Sequence, residues 1–368
     1  RGTSAKDDAW RWRYAPDLIR CGVGWFADGA GAAVEGLSRC DVVVAIGPRL
    51  PHWIRHHVLR PTRARGVVWC SVGHCQEELL AVLEDGAAVL GGWDVVTTGS
   101  REGIEALEDE TASRGRNHRL ARRLVPVGWP ELDQLVGMDK AACRAKHGLP
   151  PDRRVLFLAP AARPWGVSWL RWRLFRAHPA VGMVTGRWRH ALVPYRTILA
   201  GIAAFARRHG AFIVAKTRAK HDDPPWLGDY CDKLLGDQSF YPFTTLELMV
   251  AADAYAGLAS AMAVEATAAG LPQVHILAHE PDRAEWPGFL PFRKRFYLGG
   301  GPWDASDTAW AFWLCRRGTF GAFEWWVNEA PWPARPDHAA CRRVIQPIVG
   351  LEGSASDRVL DAIEEAMR

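Results

Sequence analysis

A chain of 368 residues, 48% hydrophobic and 24% charged, is long enough for two domains that each bury a core, and its composition excludes general disorder. Its 46 basic residues against 41 acidic ones leave a formal net charge of +5, too mild at this size to call for nucleic acid. No stretch reaches the about 18 uninterrupted apolar residues of a membrane span, because the most apolar one, 246–271, is broken by Glu247, Asp253 and Glu265.

Short apolar runs alternate with helical patterns along the chain, the pattern of parallel α/β sheets. Residues 18–21, then Gly22-Val23-Gly24 and a helix through 32–37, form an opening unit. Strands are predicted at Val42–Ile46, 67–70, Val95–Thr98 and 124–127, each short and largely apolar as strands covered on both faces are. Helical patterns at 76–83 and 101–110 lie between them. Residues 136–153, charged and holding Gly148 and Pro150-Pro151, read as a linker. A second series follows: strand Val155–Ala159, helix 196–208, strand 211–215, helix 246–252, strand Ala254–Leu258, helix 261–269 and strand 273–276. The segment 280–347 lacks this alternation and is dense in aromatic residues. Residues 354–367 close the chain as an amphipathic helix with Val359, Leu360, Ile363 and Met367 on one side. The expected fold class is α/β, two Rossmann-like domains with a cleft between them. Its divisions are residues 1–135, residues 136–350 and a C-terminal helix at 351–368. Ligands of such sheets sit at the carboxyl ends of the strands.

Several motifs lead nowhere. Gly22-Val23-Gly24-Trp25-Phe26-Ala27 matches GxGxxA, but about 20 residues on, where an acid would hold a ribose, stand Val42-Val43-Val44, so a plain tight turn is expected. There is no GxSxG elbow and no GxxxxGK[ST] loop, which removes the corresponding hydrolase and P-loop readings. The eight cysteines are scattered, as suits a reducing cytoplasm. Cys70 with His74 and Cys75, and Cys143 with His147, are fragments of zinc patterns that no second close pair completes, so neither a metal nor a cofactor is expected. The chain opens at Arg1 with no methionine and no basic-then-apolar leader, so a processed chain or a fragment is expected.

The richest constellation is Ala252-Asp253-Ala254-Tyr255-Ala256-Gly257-Leu258-Ala259-Ser260-Ala261-Met262-Ala263-Val264-Glu265, closed by Gly270-Leu271-Pro272. It reads as strand, turn, helix and the approach to another strand. Ser260 and Ala261 would stand at a helix N-terminus, where backbone N–H groups suit a phosphate, and Glu265 would face ribose hydroxyls. The same residues fit a serine cap and a solvated glutamate, and the residues alone leave both open.

This stretch resembles the nucleotide-binding element of GT-B glycosyltransferases. Val127-Gly128-Trp129-Pro130-Glu131-Leu132-Asp133, followed by Val155-Leu156-Phe157-Leu158-Ala159-Pro160-Ala161-Ala162-Arg163, is similar to the G-x-P-x-x-D element and strand of the CDP-glycerol glycerophosphotransferase family. Ala215-Lys216-Thr217-Arg218 falls where that family carries K-P-H-P, and the resemblance runs from about Val67 to Ile276. The family's D-Y-S-S turn reads Leu258-Ala259-Ser260-Ala261, Arg218 replaces its histidine, and its H-G element is at best Gly73-His74-Cys75.

The resemblance implies a transferase of surface-polymer synthesis. Its donor is nucleotide-activated, CDP- or UDP-linked, and its acceptor an anionic or lipid-linked polymer. Residues 1–135 would serve the acceptor side and 136–350 the donor. Lys216, Arg218 and Arg163 would offset charge on the departing phosphate, Ser260, Ala261 and Glu265 would hold the nucleotide, and His74 would be the base. His74 also fits an ordinary loop histidine, and Lys216, Arg218, Lys220 and His221 a solvated basic loop. UDP-N-acetylglucosamine 2-epimerases share the architecture and are an alternative, as is a non-catalytic binding protein that keeps the two-domain shell.

Only seven of the 46 basic residues are lysine, the other 39 being arginine, and many stand near the 19 tryptophans. Trp165, Trp169 and Trp172 at helical spacing, with Arg171, Arg173 and Arg176, fit peripheral contact with a membrane at its cytoplasmic face. They equally fit an acceptor channel, or a loop folded back on the second domain. The stretch from Trp303 to Trp326 fits either a lipid-facing flap or a packed insertion.

Overall fold

Hydrophobic strands flanked by amphipathic helices build two parallel sheets in the computed structural model. It describes residues 42–46, 65–69, 95–101, 104–105, 124–160, 195–217, 225–236, 243–258, 262–277, 309–313, 319–337, 339, 341, 345 and 354–368. The chain divides into two compact units. One comprises Arg1–Asp133, Gly288–Phe292 and Gln346–Arg368, the other Gln134–Pro287 and Arg293–Ile345.

In the first unit, β1 (Val42–Ile46), β2 (Arg65–Trp69), β3 (Val95–Thr98) and β4 (Leu124–Pro126) pair in parallel in that order. Beyond β3 and β4 the ladder continues through Val127 N–H to Thr98 O at 2.9 Å and Gly128 N–H to Gly99 O at 2.7 Å. Gly128 then takes φ 87°, a left-handed turn that a side chain resists, and α1 (Pro130–Asp133) begins. The terminal helix α2 (Ala355–Met367) is anchored to this corner. The Asp133 carboxylate accepts from Ala355 N at 2.9 Å, Ser356 N at 2.7 Å and Ser356 Oγ at 2.7 Å. Arg358 Nε donates to Val127 O at 2.8 Å. The glycine, proline and aspartate that carry the family resemblance thus turn the chain, start a helix and cap another. Ser354 caps α2 through Asp357 N–H, but Leu360, expected on its buried side, is 58% exposed, and Ala355 and Ala362 are buried instead.

Among the described residues, the second unit holds six parallel strands: β5 (Val155–Ala159), β6 (Phe212–Lys216), β7 (Lys233–Leu235), β8 (Ala254–Leu258), β9 (Gln273–Leu277) and β10 (Ala309–Trp313). Their order, β10-β9-β8-β5-β6-β7, is the doubly wound order, and the winding reverses between β5 and β8. Every residue of β5 is buried, its side chains alternating between two cores. Leu156 and Leu158 join Ile198, Phe205 and Trp326 in one, and Val155 and Phe157 join Leu248, Tyr255 and Leu271 in the other.

The stretch expected to be a linker forms α3 (Lys140–Lys146), capped by Asp139, which accepts from Ala142 N at 2.7 Å. This helix is tied to the amino ends of the strands. Asp253, just before β8, accepts from Val155 N at 2.8 Å, Arg144 Nη2 at 2.6 Å and Lys140 Nζ at 2.5 Å. Arg144 also donates to Ala251 O and Pro151 O. Burial acts to raise the Asp253 pKa, but the Lys140 and Val155 hydrogen bonds and the two cations outweigh it and hold the carboxyl below its ordinary range.

The aromatic segment is the largest departure from expectation. Residues 309–313 add β10 beside β9, and α6, the helix Thr319–Asn328, packs on α4, the helix Tyr195–Arg208. Trp326 is fully buried, stacked on Phe205 with centroids 4.0 Å apart, whereas its neighbour Trp325 is 45% exposed. Gly201 makes this packing possible, since a Cβ there would lie 2.8 Å from Phe323. Arg208 closes the helix end by donating to Val327 O and Trp326 O. The described residues of α6 are packed against α4, as in the packed-insertion alternative. Residues 18–37, 76–83, 165–176 and Trp303 lie outside the described residues, as does most of 101–110. Among the described residues, no helix is long and apolar enough to cross a membrane.

Candidate functional site

In sheets of this order ligands bind at the carboxyl ends of the strands beside the switch point, which here are β5 and β8. Ala159 of β5 is in register with Gly257 of β8 there. Lys216 ends β6, the strand next to β5, and stands roughly 10 Å across the sheet from β8 at ordinary strand spacing.

Lys216 is only 6% exposed, so it belongs to no solvated loop. Its Nζ donates to Thr245 Oγ1 at 3.0 Å, and that threonine is itself 2% exposed. Thr245 lies in the first turn of α5 (Phe243–Ala251). No motif in the sequence pointed to it, because a threonine among the apolar residues of a short helix gives no signal until the fold brings it to a lysine.

After β8 the chain enters α7 (Ala263–Ala268), which carries Glu265. The N-cap position is Met262 and has no side-chain capping bond, so the helix starts later than the sequence suggested. Glu265 is 5% exposed, which rules out the solvated-glutamate alternative. The opposite side of this short helix is fixed to β9. Thr267 Oγ1 donates to Ala263 O at 2.8 Å, and the Gln273 amide lies 2.7 Å from Thr267 Oγ1 and 2.8 Å from His275 Nε2. Complete burial pushes the His275 pKa down to about 3, so the imidazole is neutral at physiological pH. Tyr255 packs against it, with ring centroids 5.7 Å apart. The Tyr255 hydroxyl reaches along β8 towards its carboxyl end, and a Cβ at Gly257 would stand 2.6 Å from that oxygen.

Of the residues expected at the site, Lys216 and Glu265 are therefore buried at the carboxyl-end side of the second sheet. His74, Arg163, Arg218, Ser260 and Ala261 lie outside the described residues, as do Cys70 and Cys75. The Cys143–His147 fragment of a metal pattern is committed to structure. Cys143 is buried in the core, and His147 Nε2 lies 2.7 Å from Glu247 Oε2. Among the described residues, no group of three or more His, Cys, Asp or Glu side chains comes together as a metal site.

Comparison with protein-family models and with curated protein sequences gives no match. Solved structures do match. A variant of the wall teichoic acid polymerase TagF soaked with CDPG is 11% identical, with a TM-score of 0.51 over 98% of this chain and 84% of that one. A TagF variant structure without that soak is 12% identical, with a TM-score of 0.50 over the same shares, 98% and 84%. A UDP-GlcNAc 2-epimerase from Methanocaldococcus jannaschii is 10% identical, with a TM-score of 0.48 over 90% of this chain and 88% of that one. With a doubly wound second sheet, a parallel first sheet and a terminal helix returned to the first unit, this chain has the GT-B fold.

Proposed function

We propose that the protein is a transferase of cell-surface polymer synthesis that moves a glycerophosphate or glycosyl group from a CDP- or UDP-linked donor to an anionic or lipid-linked polymer acceptor. The observation that carries this reading is Lys216, a buried ammonium at the carboxyl end of a strand beside the switch point of a doubly wound sheet. In a dry site of that kind a fixed cation stabilises developing negative charge far more than it would in water.

In the glycerophosphate case, an acceptor hydroxyl oxygen forms a bond to the phosphorus bearing glycerol. The bond from that phosphorus to the oxygen bridging to CMP breaks, CMP leaves with the electron pair, and His74 takes the hydroxyl proton. Lys216, with Arg163 and Arg218, offsets the charge on the departing phosphate. Glu265 holds the ribose, and the Ser260-Ala261 turn supplies N–H donors to phosphate. The first unit serves the acceptor and the second the donor, and the Trp165–Arg176 stretch guides the acceptor or meets a membrane surface. A non-catalytic nucleotide-binding shell is the second reading, favoured by the apolar Leu258 in the turn where the resembling family has an acid.

The test is a thermal-shift screen of CDP-glycerol and UDP-N-acetylglucosamine, followed by assay of CMP or UDP release with a polyol-phosphate oligomer as acceptor. A raised unfolding midpoint together with nucleotide release is expected. A raised midpoint without release would leave the binding shell, and no shift with any donor would overturn the nucleotide reading.

A further inference from the structure

The next described helix after β5, α4, carries a cation where its dipole opposes one. The positive end of a helix favours an acid in the first turn, yet the first turn of α4 has no acidic residue and holds Arg196. The chain path sets where this residue stands. Residues 209–211 turn the end of α4 directly into β6, so helix and strand run in opposite directions. The 14 residues of α4 span about 20 Å and the five of β6 about 16 Å. Arg196 is therefore at the carboxyl-end side of the second sheet, where ligands of doubly wound sheets bind. Its side chain is exposed but not loose. The guanidinium carbon lies 4.5 Å from the ring centroid of Trp226. That ring is packed against the core beneath α4 and meets Tyr195 and Tyr230 edge-on, with centroids 5.5 Å and 6.0 Å away. Stacking fixes the plane of a guanidinium and leaves the N–H donors along its edge for another partner. Among the described residues, no carboxylate or carbonyl takes those of Arg196. An arginine serving only the helix belongs in the last turn, where Arg207 and Arg208 already stand. A cation held on an aromatic ring against the dipole, with its donors open, is arranged for an anion.

From this arrangement we infer that Arg196, positioned by Trp226, is a binding residue of the second unit that takes the phosphate oxygens of the nucleotide donor. A planar guanidinium offers a phosphate two parallel donors, which an ammonium does not. The inference rests on the nucleotide-donor reading, and the experiment separates the two. CDP and UDP are titrated at low ionic strength, where an exposed charge is least screened, into the wild-type chain and into Arg196→Gln, Arg196→Lys, Trp226→Leu and Trp226→Phe. Cytidine and uridine are the phosphate-free controls, and the unfolding midpoint is measured for each protein. Arg196→Gln is expected to weaken diphosphate binding about tenfold, the scale of a hydrogen bond to a charged group, and to leave nucleoside binding and the midpoint unchanged. Arg196→Lys keeps the charge without the fork and is expected to bind about threefold more weakly than wild type. Trp226→Leu removes the platform and is expected to cost about threefold for the diphosphates alone, and Trp226→Phe to restore it. If wild type binds a diphosphate and Arg196→Gln binds it equally well, the inference is overturned and the nucleotide reading stands. Equal losses for nucleoside and diphosphate in Arg196→Gln, with a lowered midpoint, would show a merely structural arginine and overturn it too. Wild-type protein that binds neither diphosphate would remove the nucleotide reading and the inference with it.

Discussion

The two ends of the second sheet treat charge in opposite ways. At the amino ends, Asp253 gathers Lys140, Arg144 and the Val155 N–H into one knot, and Arg144 spends its remaining donors on the carbonyls of Ala251 and Pro151. Charge there is matched by charge, and its product is a fixed junction of α3, β5 and β8. At the carboxyl ends Ala159 stands beside Gly257, and the buried Lys216 donates to the hydroxyl of Thr245. One end is built to hold the fold, and the other carries a buried cation on the side where ligands of such sheets bind. Substitutions at the two ends should therefore separate stability from binding.

The largest effect on stability at neutral pH is expected at the amino-end knot. Asp253→Ala leaves the nearly buried Arg144 without its carboxylate and should cost about 3 kcal/mol in urea unfolding, while folded protein binds nucleotide as before. The knot also has a pH signature. Because the folded-state pKa of Asp253 is depressed, its contribution is complete above the ordinary value of 3.8 and is lost as pH falls through the lower folded value. A loss of nucleotide affinity equal to the loss of stability would break the distinction between the two ends.

An effect confined to acid pH comes from His275. Its pKa falls from 6.5 to about 3 on folding, so the unfolded chain binds a proton that the folded chain refuses between those values. Stability should then fall as pH drops below 6.5, by up to about 1.4 kcal/mol per pH unit, and level off near the folded value. A His275→Gln variant should have a flatter acid limb in urea titrations from pH 7 to 4, and an unchanged slope would remove His275 as the cause.

The smallest effect is expected in the other unit. Asp133→Ala removes the carboxylate that accepts from Ala355 N and Ser356 N and should cost about 1 kcal/mol. It leaves the second sheet untouched, so unchanged nucleotide binding is expected. A weaker nucleotide complex would mean that the terminal helix bears on the donor site.

Much of the sheet framework was legible in the sequence for a plain physical reason. Val95–Thr98, Val155–Ala159 and Ala254–Leu258 stand as strands with the predicted limits, because strands covered on both faces are short uninterrupted apolar runs. The strand at 309–313 was missed since Ala309-Trp310-Ala311-Phe312-Trp313 sits in a segment whose aromatic density masks any alternation with helices. Its helix was missed for the same reason. At the site, Lys216 and Glu265 were legible as residue types at strand and helix positions, but their burial was not, since it depends on what packs over them. Thr245 could not be foreseen, because the bond that gives it meaning spans 29 residues of chain and exists only once α5 has docked on the sheet.

The buried Lys216 ammonium is proposed to bind donor phosphate and to be dispensable for the fold. This is tested most directly by titrating CDP-glycerol and UDP-N-acetylglucosamine into wild-type protein and the Lys216→Met variant, alongside urea unfolding of both. The account predicts that the donor bound by wild type binds more than about tenfold more weakly to the variant, with an unfolding midpoint unchanged or raised, because an apolar side chain of similar length needs no desolvated charge. Undiminished donor binding by Lys216→Met would contradict it.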